Sequence, residues 1–380
     1  MRKRVLLVDP LRHPKGGGAA VAFWALEGLK RSYDVSLLAW GAVDFEEGNR
    51  LFGTALHRDD FRLLTPPALV RWGGDLASRL DVDPWSIQRW ALLMRVARRL
   101  APRFDAVLTT NGEVVFGVPG IQYVHYPYIA EAARRRGWGA RRPWETIAGF
   151  RHNSVPENRT LVNSDWTGNV YRTYYRGPTY TVYPPVPGVF PDVPWEARED
   201  GFVCVGRFNG DKRHDLIIDA VAAVRERHPH VHLHLVGTPM PEEHGGAAYY
   251  DRLRRRVSEN AGWLRIDESL AREAMLDLLS RHRYGIHAKQ DEHFGIGVAE
   301  MVKAGCITFT HRSGGQVEVV GDERLLYDDA ADAARRVLRV IERPDEQRDL
   351  RDHLQGQADL FSAQRFMDDL CGQVEAFLTA

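Results

Sequence analysis

Apolar positions along the chain fall into short continuous runs that alternate with longer segments of helical period, the pattern of an α/β protein built on parallel sheets. Arg4 to Asp9 holds one such run, Val-Leu-Leu-Val. It leads through Pro10 and Lys15-Gly16-Gly17-Gly18 into an apolar helical stretch from Ala19 to Leu29. Strand, glycine turn and helix make the first unit of a doubly wound domain. Val35 to Ala39, Asp105 to Thr109 and Ile121 to Val124 read as further strands, the last ending at His125-Tyr126-Pro127. Trp85 to Phe104 sets Ile87, Trp90, Leu93, Met94 and Ala97 at helical spacing among Arg89, Arg95, Arg98, Arg99 and Arg103. Leu161-Val162-Asn163-Ser164 predicts a strand running into a capped helix. Pro184, Pro185, Pro187, Pro191 and Pro194 then interrupt every period, and this stiff segment marks a domain boundary.

Beyond it the pattern restarts, with strands expected at Gly201–Gly206, Val231–Gly237, Ala261–Ile266, Tyr284–His287 and Cys306–Thr310. A helix is expected at Ala271–Ser280, and an amphipathic helix from Phe361 to Leu378 closes the chain. The expected fold class is α/β, with two Rossmann-like doubly wound domains at residues 1–190 and 191–360 and a terminal helix at 361–380. At 380 residues, 44% hydrophobic and 27% charged, the chain has the composition of a soluble globular protein with two cores. No run of ~18 apolar residues occurs, so no spanning helix is expected. The basic start, Met1 to Arg4, precedes an apolar run of strand length only and does not read as a signal peptide. Cys204, Cys306 and Cys371 stand in apolar contexts that suit reduced thiols. The expected location is the cytoplasm.

The formal net charge of zero conceals an asymmetry, since residues 1–190 carry 26 Lys+Arg against 17 Asp+Glu and the remainder 25 against 34. A basic first half suits an anionic partner. Ala133 to Trp144 contains five arginines and two tryptophans, which fits a membrane interface and equally a solvated loop. The basic, amphipathic segment at 85–104 suits a helix lying on a lipid surface and equally an ordinary domain helix with a solvated basic face. With 133–144 it forms the candidate contact with an anionic bilayer. Asp81-Val82-Asp83 has the spacing of a metal-binding pair, yet it stands before Pro84 and a helix and reads as capping.

Chemistry concentrates between Gln290 and Gly315. Glu292 and Glu300 flank Phe294, Gly295, Ile296 and Gly297, a tight loop opening a buried helix. Free N–H groups at such a helix start attract a phosphate. Arg207 and Lys212 follow the strand ending at Gly206 and are placed for a diphosphate clamp, or as solvated loop charges. Gly16, Gly17 and Gly18 let backbone approach a ligand, though a plain turn explains them equally, and their spacing fits neither a dinucleotide fingerprint nor a P-loop. No Cys/His zinc spacing, nucleophile elbow or RNA-recognition signature is present.

The run Glu292-His293-Phe294-Gly295-Ile296-Gly297-Val298, with Glu300, Ala304-Gly305 and Ser313-Gly314-Gly315, resembles the acidic signature of the family 4 retaining glycosyltransferases. It is most similar to the branch of GDP-mannose-dependent α-1,2-mannosyltransferases that extend the dolichol-linked N-glycan precursor. His125-Tyr126-Pro127, Val162-Asn163-Ser164, Trp166-Thr167, Val182-Tyr183-Pro184-Pro185 and the trio Gly206, Arg207, Lys212 are similar as well. The resemblance implies the GT-B architecture, two domains facing across a cleft with the donor held by the second and the terminal helix crossing back to the first.

It further implies that Arg207 and Lys212 bind the donor diphosphate and that Glu292 and His125 orient the sugar. Gly16 to Gly18, Phe294, Gly295 and Ile296 would complete the donor site, and Glu300 would hold the ribose. The implied activity is retaining transfer of a hexose, mannose favoured, from a nucleoside-diphosphate sugar to a glycan or lipid-linked acceptor. Two cations and a helix end stand where other transferases use a metal, so no metal or other cofactor and no nucleic acid is expected. A UDP-hexose donor such as UDP-glucose is the rival within the fold. A non-catalytic sugar-nucleotide or nucleic-acid binder is the rival from another class.

Overall fold

Each of two units is built on a parallel sheet whose strands carry apolar side chains on both faces, which is why they read as continuous hydrophobic runs. The computed structural model describes residues 2–11, 14, 16–79, 87–136, 142–150, 157–239 and 246–380. Asp81 to Asp83, Trp85, Lys15 and the stretch 137–141 fall outside the described residues, as do the side chains of Arg135, Arg136 and Arg142. The first unit comprises Met1–Pro187 together with Ala363–Ala380, and the second Gly188–Ser362.

In the first unit β1 (Arg4–Val8), β2 (Asp34–Leu38), β3 (Arg62–Leu64), β4 (Ala106–Thr109), β5 (Gly120–Val124), β6 (Asn158–Val162) and β7 (Thr179–Thr181) form a sheet ordered β3-β2-β1-β4-β5-β6-β7. The second contains β8 (Glu199–Val205), β9 (His232–Gly237), β10 (Leu264–Glu268), β11 (His282–His287), β12 (Ile307–His311) and β13 (Leu326–Tyr327), ordered β10-β9-β8-β11-β12-β13. Both sheets reverse direction beside their first strand, and loops at that switch point, at the carboxyl ends of the strands, are where such sheets bind ligands.

Three features add detail to the sequence pattern. The glycines Gly16 to Gly18 are not a turn before the helix but its first turn, in the helix Gly16–Ser32, with Gly16 at φ +80°. The helix Ile87–Leu100 buries Ala91, Leu93, Met94 and Ala97 in the core of the first unit. Its apolar face is thus used up internally, and only its arginines are left for an outside partner. The closing helix, Ala363–Leu378, belongs to the first unit, where Phe366, Met367, Leu370 and Val374 are buried in the same cluster as Val21, Ala25 and Leu29 of Gly16–Ser32. A Cβ on Gly28 would meet Met367 at 3.0 Å, so glycine sets how closely the two helices approach. Arg159 Nε donates to Gln373 Oε1 at 2.7 Å at the same junction.

A buried carboxyl fixes the segment after β5. Glu113 accepts the N–H groups of Ile129 (2.7 Å) and Ala130 (3.1 Å) and the hydroxyl of Tyr175 (2.7 Å), so it holds the first turn of the helix Tyr128–Arg136 directly after His125-Tyr126-Pro127. Burial pushes this carboxyl up to about 7, against the hydrogen bonds from Tyr175, Ile129 and Ala130. The folded protein then holds a proton between the ordinary glutamate value of 4.5 and about 7 that the unfolded chain has released, so this group's contribution to stability falls as pH rises through that window. Glu113→Gln should therefore destabilise the protein most at acid pH. Urea midpoints of wild type and variant at pH 5 and pH 8.5 should converge by an amount worth roughly 1–3 kcal/mol at the alkaline end. A difference independent of pH would mean that Glu113 is ionised in the folded state.

Candidate active site

The carboxyl ends of β8, β9 and β11 converge because glycines there lack side chains. A Cβ on Gly237 would fall 1.8 Å from the Gly206 carbonyl oxygen, and one on Gly297 would fall 2.8 Å from that of Val205. The helix Ile296–Lys303 can thus start against the end of β8. Gly295 precedes it at φ +100°, a left-handed conformation, and no side chain caps the helix. Its first-turn N–H groups point outward as a ready anion site.

Glu292 is pinned just ahead of this helix. Its carbonyl accepts the N–H of Gly315 at 2.7 Å, and it bridges to Gly314, whose φ is +81° and whose missing Cβ would lie 2.3 Å from that carbonyl oxygen. Ser313 Oγ accepts the Asp291 N–H at 2.8 Å. The Ser-Gly-Gly run is accordingly the strap that holds the acidic loop.

The Glu292 carboxylate meets Lys212 Nζ at 2.6 Å and Lys289 Nζ at 3.4 Å, and His287 Nε2 stands 3.9 Å away. Burial alone would raise its pKa, but the charge of Lys212, with the neighbouring His287 and Lys289 and the hydrogen bond from Lys212, holds it well below the usual carboxylate range. Gln316 settles the histidine's tautomer. Its Nε2 donates to the carbonyls of Lys289 (2.7 Å), Ser313 (2.9 Å) and His311 (3.2 Å), so the Oε1 facing His287 Nδ1 at 2.8 Å must accept. His287 Nδ1 therefore carries the proton and Nε2 offers its lone pair to Lys212 Nζ at 3.4 Å. Burial and the neighbouring Lys212 charge push His287 down to about 4, so it stays neutral near pH 7.

Glu300 lies buried inside the helix, where Arg272 pairs with its Oε1. Arg207 is exposed and pairs with no carboxylate among the described residues. The Phe294 ring is buried edge-on to Phe361 at 5.4 Å, so it anchors the loop to the core instead of facing solvent. His287, Lys289, Gln316 and Arg272 were not singled out in the sequence. His287 had a legible signal, since it ends the strand that leads into the acidic loop, and Lys289 follows two residues on.

In the first unit the carboxyl edge assembles a second group. A Cβ on Gly18 would lie 3.7 Å from His125 Nε2, which brings the glycine turn and the histidine together. That nitrogen is 2.9 Å from the carbonyl of Thr110, so it carries the proton and Nδ1 is left as the acceptor. Burial lowers His125 to about 4, against the hydrogen bond to Thr110. Thr110 donates to Asp9 Oδ2 at 2.6 Å, and Asn163 Nδ2 donates to the His125 carbonyl at 3.2 Å.

Residues 190–356 match the family described as "Glycosyl transferases group 1". The human GDP-Man:Man(3)GlcNAc(2)-PP-Dol alpha-1,2-mannosyltransferase is 26% identical over 98% of this chain and 86% of its own. Residues 190–356 thus form a group 1 glycosyltransferase domain. The same-named enzyme of Neurospora crassa is 32% identical over 54% of this glycosyltransferase, which spans 47% of that protein. Among solved structures, the HepE protein of Anabaena in complex with UDP-glucose superposes with a TM-score of 0.66 at 14% identity, covering 98% of this chain and 100% of that one. Sucrose-phosphate synthase of Thermosynechococcus elongatus gives 0.69 at 16% identity over 100% and 99%. At these identities the structural likeness speaks to the fold alone, which is GT-B.

In this glycosyltransferase a buried ion pair such as Lys212–Glu292 is costly to break from one side, because the remaining charge is left without compensation. Lys212→Ala should be destabilising in the wild-type background and much less so beside Glu292→Gln. A double-mutant cycle by urea denaturation should return a coupling of at least about 1 kcal/mol. Additive changes would show that solvent, not Lys212, stabilises the carboxylate.

Proposed function

We propose that this glycosyltransferase moves a hexose, with mannose favoured, from a nucleoside-diphosphate sugar to a hydroxyl of a lipid-linked or other glycan, with retention of configuration. The observation that carries the reading is the uncapped glycine-led helix start at Ile296 beside the Lys212–Glu292 pair, with Arg207 exposed on the loop that runs from β8 to Lys212. Only part of the Lys212 ammonium is used by Glu292 and His287, and its remaining N–H capacity suits a phosphate oxygen. In a retaining transfer the departing diphosphate can itself take the proton of the incoming hydroxyl. The protein then has to stabilise charge on that phosphate, the part assigned to Arg207, Lys212 and the N–H groups of Gly295 and Ile296. Glu292, held anionic, faces developing positive charge on the sugar. Glu300 is assigned to the ribose hydroxyls through the oxygen opposite Arg272. Gly16 to Gly18 and the Nδ1 acceptor of His125 keep the sugar and phosphate contacts implied by the family resemblance.

Mannose is favoured because the human and Neurospora crassa relatives are named as GDP-mannose enzymes. A uridine donor is the second reading, since the HepE structure was solved with UDP-glucose. A panel of nucleotide sugars, scored by thermal shift and by slow donor hydrolysis, separates the two. GDP-mannose should give the larger shift and the faster turnover. Turnover of no nucleotide sugar would leave a binding protein.

Arg207→Ala is the cleanest test of the clamp, because the side chain is exposed and the fold should survive. Removing one preorganised donor to a leaving group typically costs about 2–4 kcal/mol, so transfer should fall roughly 30- to 10³-fold. Transfer should persist in excess EDTA. An unchanged rate in Arg207→Ala removes the clamp, and loss of transfer in EDTA with rescue by magnesium or manganese would call for a metal at the donor.

Contact with an anionic bilayer remains part of this reading. Among the described residues no helix is long and apolar enough to cross a membrane. The helix Ala68–Ser78, however, exposes Leu69 (77%), Trp72 (65%) and Leu76 (48%). Their spacing of three and four puts them on one face, as in a helix lying on a lipid surface. Sedimentation should show binding to vesicles containing anionic lipid and not to neutral ones. That binding should weaken with salt and be lost on replacing Leu69, Trp72 and Leu76 with Ser. Indifference of the wild type to both kinds of vesicle would point to a soluble acceptor.

A further inference from the structure

At the amino-terminal edge of the second sheet, away from the donor loops, three histidines come together. His232 and His234 are two apart on β9 and share a face, while His282 opens β11. Strand β8 runs between them, and its Gly201 stands opposite His232 in the register. A Cβ on Gly201 would fall 2.4 Å from His232 Nε2. Because it is absent, the His232 ring lies over β8, and its Nε2 reaches 3.2 Å from His282 Nε2 and 3.2 Å from Glu199 Oε2. His282 Nε2 is 3.9 Å from the same carboxylate oxygen, and the other oxygen of Glu199 lies 3.9 Å from Arg281 Nη1. The His234 ring is centred 4.8 Å from that of His282 and 5.1 Å from that of His232. One ring nitrogen from each histidine falls within 4.8 Å of the others.

Two features go beyond a chance gathering of rings. His282 is fully buried, and its Nδ1 is 2.8 Å from the Leu278 carbonyl, which can only accept. Nδ1 therefore holds the proton, and Nε2 presents a lone pair to the cluster, the orientation that a carbonyl imposes on metal-ligating imidazoles. His234 is only 6% exposed, and its Nδ1 is buried with no hydrogen-bond partner among the described residues. An orphaned polar atom at such depth is expensive and calls for a ligand or a water.

We infer that His232, His234 and His282, with Glu199 as the fourth group, form a structural site for a zinc-like divalent metal ion. Zinc–nitrogen bonds of about 2.0–2.1 Å in a tetrahedron set neighbouring ligand atoms roughly 3.3 Å apart. The two 3.2 Å separations already match and the 3.9 Å edge needs a small side-chain movement, while His234, whose ring nitrogen lies within 4.8 Å of the other two, has to swing inward on binding. Three imidazoles and one carboxylate suit zinc over magnesium or calcium. The ion would fasten β8, β9 and β11 to one another. It would take no part in transfer, because His282 and His287 are the two ends of β11, roughly 17 Å apart at strand rise.

The test uses the full chain, stripped with EDTA, desalted and titrated with Zn²⁺ or Co²⁺. One zinc per chain should survive gel filtration, the melting temperature should rise by several degrees, and Co²⁺ should give the visible bands of four-coordinate geometry. Gly201→Ala keeps all four ligands but pushes the His232 ring aside, and His232→Ala removes the most exposed histidine. Each should weaken retention at least ten-fold, with a metal-free melting temperature close to that of the stripped wild type. Metal-stripped protein should transfer sugar as before while melting earlier, which separates this site from the donor site. Failure of the wild type to retain zinc or to shift its melting temperature overturns the proposal, as does full retention by both variants.

Discussion

The contact between Lys212 and Glu292 is the constraint around which the second unit is arranged. Two charges taken largely out of water are expensive unless their geometry and remaining hydrogen bonds are nearly complete. The protein meets that demand from four places at once: the loop after β8 supplies Lys212, the end of β11 supplies His287 and Lys289, the acidic loop supplies Glu292, and Gln316 locks the histidine. Glycines at 206, 237, 295, 297 and 314 let these backbones crowd together. A site of this kind is preorganised, so little reorganisation is left for the moment at which charge develops on a substrate.

The two α/β units were legible because buried parallel strands read as apolar runs, and the acidic loop because its glycines and carboxylates stand close in sequence. What escaped notice was short or assembled from afar. β3, β7 and β13 are two or three residues long at the edges of their sheets, too brief to show a period. The apolar residues of the segment 85–104 gave the right helix and left its neighbour open, because amphipathicity does not say whether the apolar face meets a core or a bilayer. The real exposed stripe, Leu69, Trp72 and Leu76, contains only three residues and could not be told from an ordinary buried face. Asp9 and Thr110 join His125 only through the strand order, and Arg272 meets Glu300 across 28 positions of sequence.

The histidines at the far edge of the second sheet make the same point in a stronger form. Zinc motifs are read in sequence from ligands grouped in close pairs, whereas these groups stand at 199, 232, 234 and 282 on three strands. Only the order β9-β8-β11, with a glycine in the middle strand, makes them neighbours. A single strand, β11, thus carries His282 at one end and His287 at the other, in surroundings that give two histidines of one short segment different work.

The first unit is made from both ends of the chain, and this affects how the protein comes into being. Residues 363–378 leave the ribosome after the whole of the second unit, yet Phe366, Met367, Leu370 and Val374 belong to the buried core of the first, with Met367 against Gly28 of the helix Gly16–Ser32. Until then the apolar surface they pack against has no partner within its own unit, while the second unit has every residue it needs. Synthesis therefore favours a vectorial order in which the later domain closes before the earlier one, and nascent chains that stall in between present a bare groove to chaperones and to one another.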